Sequence, residues 1–118
     1  MDTREAAQSY FDGLAGKDLS IVPYSDDALL WAPLGPDGLE KPIRGKDAIV
    51  AFLEGVLPLI DRVEVKQLLV EGQWASGRAF IDLNQPAGAI LRVNDIFHVV
   101  GGCIVEQENH YDPRPALP

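Results

Sequence analysis

One acidic residue stands inside an apolar stretch near the end of the sequence. Asp95 alternates with Val93, Phe97 and Val99, so these four side chains share one face of any strand that contains them. A carboxyl group with such neighbours is paired, protonated or turned toward solvent on an outer sheet face. On an inner face, burial raises the pKa of Asp95 and favours the neutral acid, which donates a hydrogen bond to a ligand oxygen. We therefore expect Asp95 to belong to a pocket.

A tyrosine in the N-terminal region is the second candidate. Tyr10 shares the apolar face of a predicted helix with Phe11 and Leu14. A buried tyrosine hydroxyl needs a hydrogen-bond partner, and Asp95 would supply one. The alternative is a core tyrosine whose hydroxyl reaches the rim of the domain. If the first assignment holds, Tyr10 and Asp95 form an acid and oxyanion-donor pair.

Polar side chains alternate along the C-terminal strand. Gln107, Asn109 and Tyr111 share one face, and Asn109 and Tyr111 are the members that we expect at the pocket. Buried amides require hydrogen-bond partners, so an inward orientation gives the pocket polar chemistry without charge. The alternative is a solvated edge strand.

The histidines and the cysteine are weaker candidates. His98 and His110 fall on the faces opposite Asp95 and Asn109, so we expect them at the surface or at an interface. Cys103 has no paired base in its vicinity and is expected to serve packing. No spacing of these residues matches a metal-binding motif, and we expect neither a metal nor a cofactor.

Two helices are expected to position these groups. Asp2 and Glu5 have the spacing of a capping box, which predicts a first helix that ends near Gly16. A short helical piece follows from Asp18 to Pro23. A second long helix is predicted from residue 45, and Pro58 terminates it.

Strands account for most of the remaining chain. The predicted strands are 28–32, 39–44, 62–70, 74–83, 89–100 and 103–111, with a tight Gly101-Gly102 hairpin between the last two. Helices that are segregated from an antiparallel sheet define an α+β domain. A curved sheet covered by helices encloses a concave interior, where small-molecule pockets commonly lie.

Length and composition are those of one ordered domain. The chain has 118 residues, of which 47% are hydrophobic and 24% charged. We expect residues 1–112 to form a single α+β domain. Residues 113–118 include Pro113, Pro115 and Pro118, and we expect a proline-rich C-terminal tail there.

The charge balance excludes several classes of partner. The chain carries 10 basic and 18 acidic residues, a formal net charge of −8, which argues against nucleic-acid binding and against an anionic membrane surface. The single cysteine, Cys103, allows no intramolecular disulfide and suits a reducing compartment. The N-terminal residues lack the pattern of a signal peptide, so we expect a cytoplasmic protein.

Four local patterns carry a family resemblance. They are Tyr10-Phe11 with residues 16–19, residues 25–28 with 33–35, residues 43–49, and residues 95–97 continuing through 101–105 to 111–112. In this order they resemble the nuclear transport factor 2-like superfamily, in particular its SnoaL-like and ketosteroid isomerase-like branch. The resemblance covers essentially the whole chain. It implies a cone-shaped α+β barrel (the cystatin-like roll) around a pocket for a hydrophobic small molecule, and a homodimer packed through the outer sheet face.

The same resemblance implies roles for individual residues. In the isomerases of this branch a carboxylate removes a proton next to a ketone, while a tyrosine and a protonated aspartic acid stabilise the oxyanion. Tyr10 stands at the position of the tyrosine, Asp95 at that of the neutral acid, and Tyr111 at that of a supporting aromatic residue. The base position holds Ala32, which cannot accept a proton.

Epoxide hydrolases of the superfamily are a second comparison, and they use an Asp-Arg-Asp arrangement. Arg78 matches the arginine, but Phe80 and Asn109 stand at the two acid positions. The pocket residues that the sequence predicts are Tyr10, Arg78, Phe80, Asp95, Phe97, Asn109 and Tyr111.

Two functions remain open from the sequence. One is an isomerase or cyclase that acts on a hydrophobic carbonyl compound, with Tyr10 and Asp95 as catalytic residues and a base supplied from elsewhere or by ionised Asp95. The other is a non-catalytic ligand-binding or interaction module of the same fold, which the alanine at position 32 favours.

Overall fold

The computed structural model describes residues 1–117 as two α-helices and a six-stranded sheet. The helices are α1 (Thr3–Gly16) and α2 (Lys46–Val56), and short 3-10 turns lie at Leu19–Ile21, Leu57–Leu59 and Arg114–Ala116. The strands are β1 (Tyr24–Trp31), β2 (Ile43–Arg44), β3 (Ile60–Glu71), β4 (Trp74–Asn84), β5 (Ala87–Val100) and β6 (Cys103–His110).

The sheet has the spatial order β2-β1-β6-β5-β4-β3. Strands β3 to β6 form the predicted antiparallel meander, but β1 pairs with β6 in parallel. The expectation of a purely antiparallel sheet is therefore wrong. The chain leaves β1 through β2 and α2 and begins the meander at the far edge, so β6 returns alongside β1 in the same direction. The sheet curves without closing, as in a cone-like α+β fold.

Helix α1 begins and ends as its sequence predicts. The Asp2 carboxylate accepts from the Glu5 amide at 2.8 Å, and Glu5 accepts from the Asp2 amide at 3.1 Å, which completes the capping box. Lys17 closes the helix in the left-handed conformation with φ 54°. The apolar face of α1 packs across β3, β4 and β5, and this fixes the position of Tyr10 over the sheet.

Helix α2 covers the other end of the sheet. It follows Gly45, whose φ of 91° favours glycine, and it packs on β1 and β2. Ile49 and Leu53 are its buried residues. The Lys17 ammonium donates to the carbonyls of Leu57 and Ile60, both at 2.8 Å, and so ties the end of α1 to the connection that follows α2.

Several strand ends differ from the prediction. The predicted strand 39–44 is only Ile43–Arg44, because turns occupy most of the preceding proline- and glycine-rich loop. Strand β1 begins already at Tyr24 rather than at residue 28. The pairing register between β5 and β6 shifts between His98 and Val99, and Ile104 on β6 is fully buried.

Residues 113–117 are more ordered than a simple tail. Arg114–Ala116 form a 3-10 turn, and Ala116 packs against the core. Pro118, the last residue of the predicted tail, lies outside the described residues. Within residues 1–117, no helix is long and apolar enough to cross a membrane.

Candidate active site

Asp95 lies on the helix-covered inner face of the sheet, in the middle of β5. Asp95 is only 1% exposed, and its cross-strand neighbours are Gly77 on β4 and Asn109 on β6. The Asn109 side-chain nitrogen Nδ2 donates to Asp95 Oδ1 at 2.6 Å. The alternation that predicted an inward carboxyl is thus confirmed, and its polar partner is an amide rather than an arginine.

Burial controls the ionisation of this carboxyl. Desolvation raises the pKa of Asp95 from 3.8 to about 7, although the hydrogen bond from Asn109 acts in the opposite direction. At neutral pH the group is therefore divided between acid and carboxylate. A carboxyl in that condition can both accept and return a proton, which is what general acid–base catalysis requires.

All three tyrosines of the chain surround Asp95. Burial raises the pKa of Tyr10 and of Tyr24 well above the ordinary value, and that of Tyr111 to about 12. The negative charge of Asp95 contributes to each increase. The three hydroxyls are therefore neutral hydrogen-bond donors throughout the physiological pH range.

The position of Tyr10 is set by aromatic packing. Its ring meets Phe11 at 5.2 Å and Phe97 at 5.6 Å between centroids, both in edge-to-face geometry. Phe11 and Phe97 also contact each other at 5.9 Å. Three rings that hold one another leave the Tyr10 hydroxyl little freedom.

A small cavity lies between α2 and the inner face of the sheet. Its volume is about 40 Å³, and its lining residues are Tyr10, Phe52, Leu53, Val56, Ile81, Leu91, Val93, Asp95, Asn109 and Tyr111. Pockets that hold organic ligands usually measure roughly 300–1,000 Å³. The cavity thus admits water-sized molecules in this conformation, and a larger ligand requires its wall to move.

Four of the seven predicted site residues line this cavity: Tyr10, Asp95, Asn109 and Tyr111. Phe97 is fully buried but lies against the Tyr10 ring instead of lining the cavity.

Arg78 and Phe80 are not at the cavity. Both lie on the outer face of β4, where Arg78 is exposed and the Phe80 ring lies between Lys66 and Arg92, 4.9 and 4.5 Å from their charged groups. The expectation that they line the pocket is wrong. The inner positions of β4 carry small residues such as Gly77, because α1 packs closely there.

The usual base position offers no acid. Ala32 is buried and does not line the cavity, and within residues 1–117 Asp95 is the one carboxylic acid that does. The histidines lie on the outer face as predicted: His98 stacks on Trp74 at 4.2 Å, and His110 contacts Glu108 at 3.0 Å. Any proton transfer in the cavity therefore falls to Asp95.

Sequence reasoning missed two parts of the site. The Tyr24 hydroxyl donates to Gln107 Oε1 at 2.5 Å, and both residues are buried. The register of β6 indicated that Gln107 faces inward, but no local pattern pointed to Tyr24. The cavity wall formed by Phe52, Leu53 and Val56 was visible only as the apolar face of α2.

No metal cluster accompanies the site. Within the part of the chain that the structure describes, no three His, Cys, Asp or Glu residues are placed to hold a metal ion. The chemistry available to the described residues at the cavity is that of one carboxyl, one amide and neutral hydroxyl groups.

Several solved structures share the fold. A candidate ketosteroid isomerase from Kribbella flavida is 21% identical with a TM-score of 0.78, over 93% of this chain and 77% of that one. A candidate polyketide cyclase from Sinorhizobium meliloti is 19% identical with a TM-score of 0.75, over 90% and 94%. An epoxide hydrolase of the LEH-like kind from M. tuberculosis is 17% identical with a TM-score of 0.75, over 97% and 85%.

These likenesses establish the nuclear transport factor 2-like fold, which hosts different reactions. No curated protein sequence matches the chain significantly. The family comparison is more specific, because the SnoaL-like domain matches residues 7–107. That range includes most of α1 and the whole of α2, β3, β4 and β5, together with Asp95 and Gln107. The chain belongs to the SnoaL-like domain family.

Proposed function

We propose that this protein is an acid–base enzyme that moves a proton at a carbon next to the carbonyl group of a hydrophobic compound. The observation that carries the proposal is the buried Asp95 carboxyl, which shares an otherwise mostly apolar cavity with the Tyr10 hydroxyl. The overall reaction is an isomerisation or a cyclisation. Both types of enzyme occur among the named structural neighbours.

A single carboxyl is sufficient for such chemistry. Ionised Asp95 accepts the proton from the carbon, and the electron pair moves toward the carbonyl oxygen to give an enolate. The Tyr10 hydroxyl donates a hydrogen bond to that oxygen, where negative charge develops. Protonated Asp95 then returns the proton to another carbon in an isomerisation, or to the new alkoxide after the enolate attacks a second carbonyl in a cyclisation.

The ionisation of Asp95 suits both halves of this cycle. A general base works best when its pKa lies near the working pH, and burial raises the pKa of Asp95 to about 7. In this mechanism the alanine at position 32 is no obstacle. Asp95 stands at the position of the neutral acid, which in the related isomerases works beside a separate base. In this mechanism Asp95 is itself the base.

The cavity lining indicates the kind of substrate. Within residues 1–117, the lining includes neither Lys nor Arg, so it offers no counter-ion for a carboxylate or a phosphate. The aliphatic and aromatic lining favours an uncharged, apolar carbonyl compound. Phe52, Leu53 and Val56 form the apolar part of the wall that belongs to α2.

The second candidate function is ligand binding without chemistry. The satisfied Asp95–Asn109 pair favours it, because a buried carboxyl that has its hydrogen-bond partner needs no reaction to explain it. Under this alternative Asp95 would contribute hydrogen bonding alone, and the ionised form would have no role.

Exchange of carbon-bound protons distinguishes the two functions. The protein is incubated with 2-tetralone in D₂O, and loss of the α-proton NMR signals is followed over time. We expect wild-type protein to accelerate exchange, Asp95→Asn to abolish the acceleration, and the exposed control Asp26→Asn to retain it. Equal exchange with wild type and Asp95→Asn would contradict the catalytic proposal. Saturable binding without exchange would favour the binding module.

We also propose that the protein is a homodimer joined through the outer sheet face. Exposed apolar residues lie on that face, among them Leu69 and Trp74 at 57% and 46% exposure. They border a groove of about 470 Å³ that Ile96 also lines. The outer face also carries two regions of opposite charge. The acidic region is Glu106 and Glu108 on β6, and the basic region is Arg78 on β4 and Arg92 on β5. A two-fold axis would bring these regions together.

A further inference from the structure

We propose that Asn109 is the positioning residue of Asp95: its side-chain amide holds one carboxyl oxygen and leaves the other for the cavity. This assignment rests on the proposed function, in which Asp95 is the proton-transfer group. It differs from a ligand-binding role, because the hydrogen bond from the amide to the carboxylate, and not a contact with a ligand, carries the effect. Asn109 would thus act on the reaction through Asp95 and not through the substrate.

The sheet register makes Asn109 the cross-strand neighbour that can do this. Asp95 lies directly opposite Asn109 on β6 and opposite Gly77 on β4. Gly77 has no side chain, and the Phe11 ring fills the space above it, 2.6 Å from the position of an added Cβ. A polar side chain therefore reaches the carboxyl from β6 and not from β4.

The contact is short and shielded from water. Asn109 Nδ2 lies 2.6 Å from Asp95 Oδ1, and the two residues are 5% and 1% exposed. Within residues 1–117 it is the one side-chain hydrogen bond that Asp95 Oδ1 receives. Asp95 also lines the cavity, and Asn109 engages only Oδ1, so the proposal assigns the other oxygen to a reacting group.

The amide also affects when the carboxyl ionises. A donated hydrogen bond favours the carboxylate, so Asn109 lowers the pKa of Asp95 against the effect of burial. The other titratable groups that face Asp95 are Tyr10 from α1, Tyr24 from β1 and Tyr111 after β6. Each is a neutral hydroxyl at working pH, while α2 contributes only apolar residues to the cavity.

An amide is suited to this position because it does not titrate. An aspartate at position 109 would place a second carboxyl beside Asp95, and the pair would then share one proton. A leucine of similar volume would leave Asp95 without its donor. Both changes make ionisation of Asp95 harder, but only the first adds charge.

The test compares Asn109→Leu and Asn109→Asp with wild type. The Asp95 carboxyl is followed by ¹³C NMR as a function of pH, and tetralone exchange is measured over the same range. We expect Asn109→Leu to raise the midpoint of Asp95 by about one pH unit, since hydrogen bonds to charged groups are worth about 1.5–3 kcal/mol. The acidic limb of the exchange profile, on which protonation of Asp95 removes the base, should move to higher pH by the same amount. Asn109→Asp should raise the apparent titration midpoint of the two neighbouring carboxyls by at least about one pH unit.

Gln107→Leu is the matched control, because Gln107 is the buried amide two residues away on the same strand and pairs with Tyr24. It should leave the Asp95 midpoint unchanged. An unchanged midpoint in both Asn109 variants would overturn the proposal. If Asn109→Leu fails to fold, Asn109→Ala carries the test, because it also removes the donor and adds no charge. Failure of the enzymatic proposal is recognised separately, because the midpoint is measured without any substrate.

Discussion

The ring of Phe11 occupies the space that a side chain at Gly77 would need. A Cβ built at Gly77 would lie 2.6 Å from Phe11 Cε2 and 2.8 Å from Cζ. Since Phe11 also supports the Tyr10 ring, and Gly77 lies opposite Asp95, this contact connects the packing of α1 to the geometry of the site. The close approach of helix and strand thus explains why β4 carries its smallest residue there.

Gly77→Ala should destabilise the fold by about 1–3 kcal/mol, because the Phe11 ring has to leave its place among three packed rings. Urea unfolding measures the change. The control is Gly55→Ala in α2, where an added Cβ meets no atom within 4 Å and the helix should be unchanged or slightly more stable. Equal stability of Gly77→Ala and wild type would contradict the packing described for Phe11.

The stability of the protein should depend on pH through Asp95. The pKa of Asp95 is about 7 in the folded protein and 3.8 in the unfolded chain. Between these two pH values the folded state therefore binds more protons than the unfolded state. The contribution of Asp95 is therefore fully present below about pH 4 and is lost as pH rises through about 7. The full loss corresponds to roughly 4 kcal/mol of unfolding free energy.

Asp95→Asn isolates that contribution, because asparagine keeps the shape and accepts the same hydrogen bond. Urea unfolding of both proteins from pH 4 to pH 8 gives the comparison. We expect similar stability at pH 4, an advantage of the variant that grows between pH 4 and about pH 7, and a constant advantage above that. A difference that does not vary with pH would contradict a buried, titrating carboxyl.

Lys17 should stabilise the connection between α2 and β3. Its ammonium donates to the carbonyls of Leu57 and Ile60, each at 2.8 Å. Lys17→Met removes both hydrogen bonds and should cost about 1–2 kcal/mol in unfolding free energy. Lys46→Met is the control, an exposed lysine on the same groove. Equal effects of the two variants would rule out a specific role for the Lys17 contacts.

Trp74→Glu should separate the proposed homodimer into monomers. The indole stacks on His98 and is 46% exposed on the outer face, so a carboxylate there would be desolvated at a sheet-to-sheet interface. Sedimentation velocity gives the mass of each species. Ile21→Glu changes an exposed apolar residue of the 3-10 turn that follows α1 and should leave the dimer intact. A wild-type protein that sediments only as a monomer would contradict the interface.

The sequence was sufficient to predict much of this architecture. The capping box at Asp2 and Glu5 marked the start of α1, and the period of β5 placed Asp95 inward, because both signals are local. Arg78 and Phe80 were misplaced because alternation identifies two faces but does not say which one the helices cover. That choice depended on the close packing of Phe11 over Gly77, a contact between residues far apart in the chain.

Other features depended on long-range pairing. The parallel pairing of β1 with β6 brings Tyr24 to Gln107 across 83 positions of sequence, and no local pattern reports such a contact. The Ile104 side chain faces the core because a register shift interrupts the alternation of β6. The contribution of Phe52, Leu53 and Val56 to the cavity wall likewise follows from where α2 packs, and not from its apolar period alone.

The ionisation of Asp95 in the wild-type protein is the most direct test of its role as the acid–base group. Selective ¹³C labelling of aspartate, with Asp95→Asn to assign the resonance, allows the side-chain carboxyl shift to be followed from pH 3 to pH 9. The buried site predicts a midpoint near 7, far above the ordinary value of 3.8. A midpoint near 4 would mean that the carboxyl is solvated, and it would contradict both the buried site and the proton transfer assigned to it.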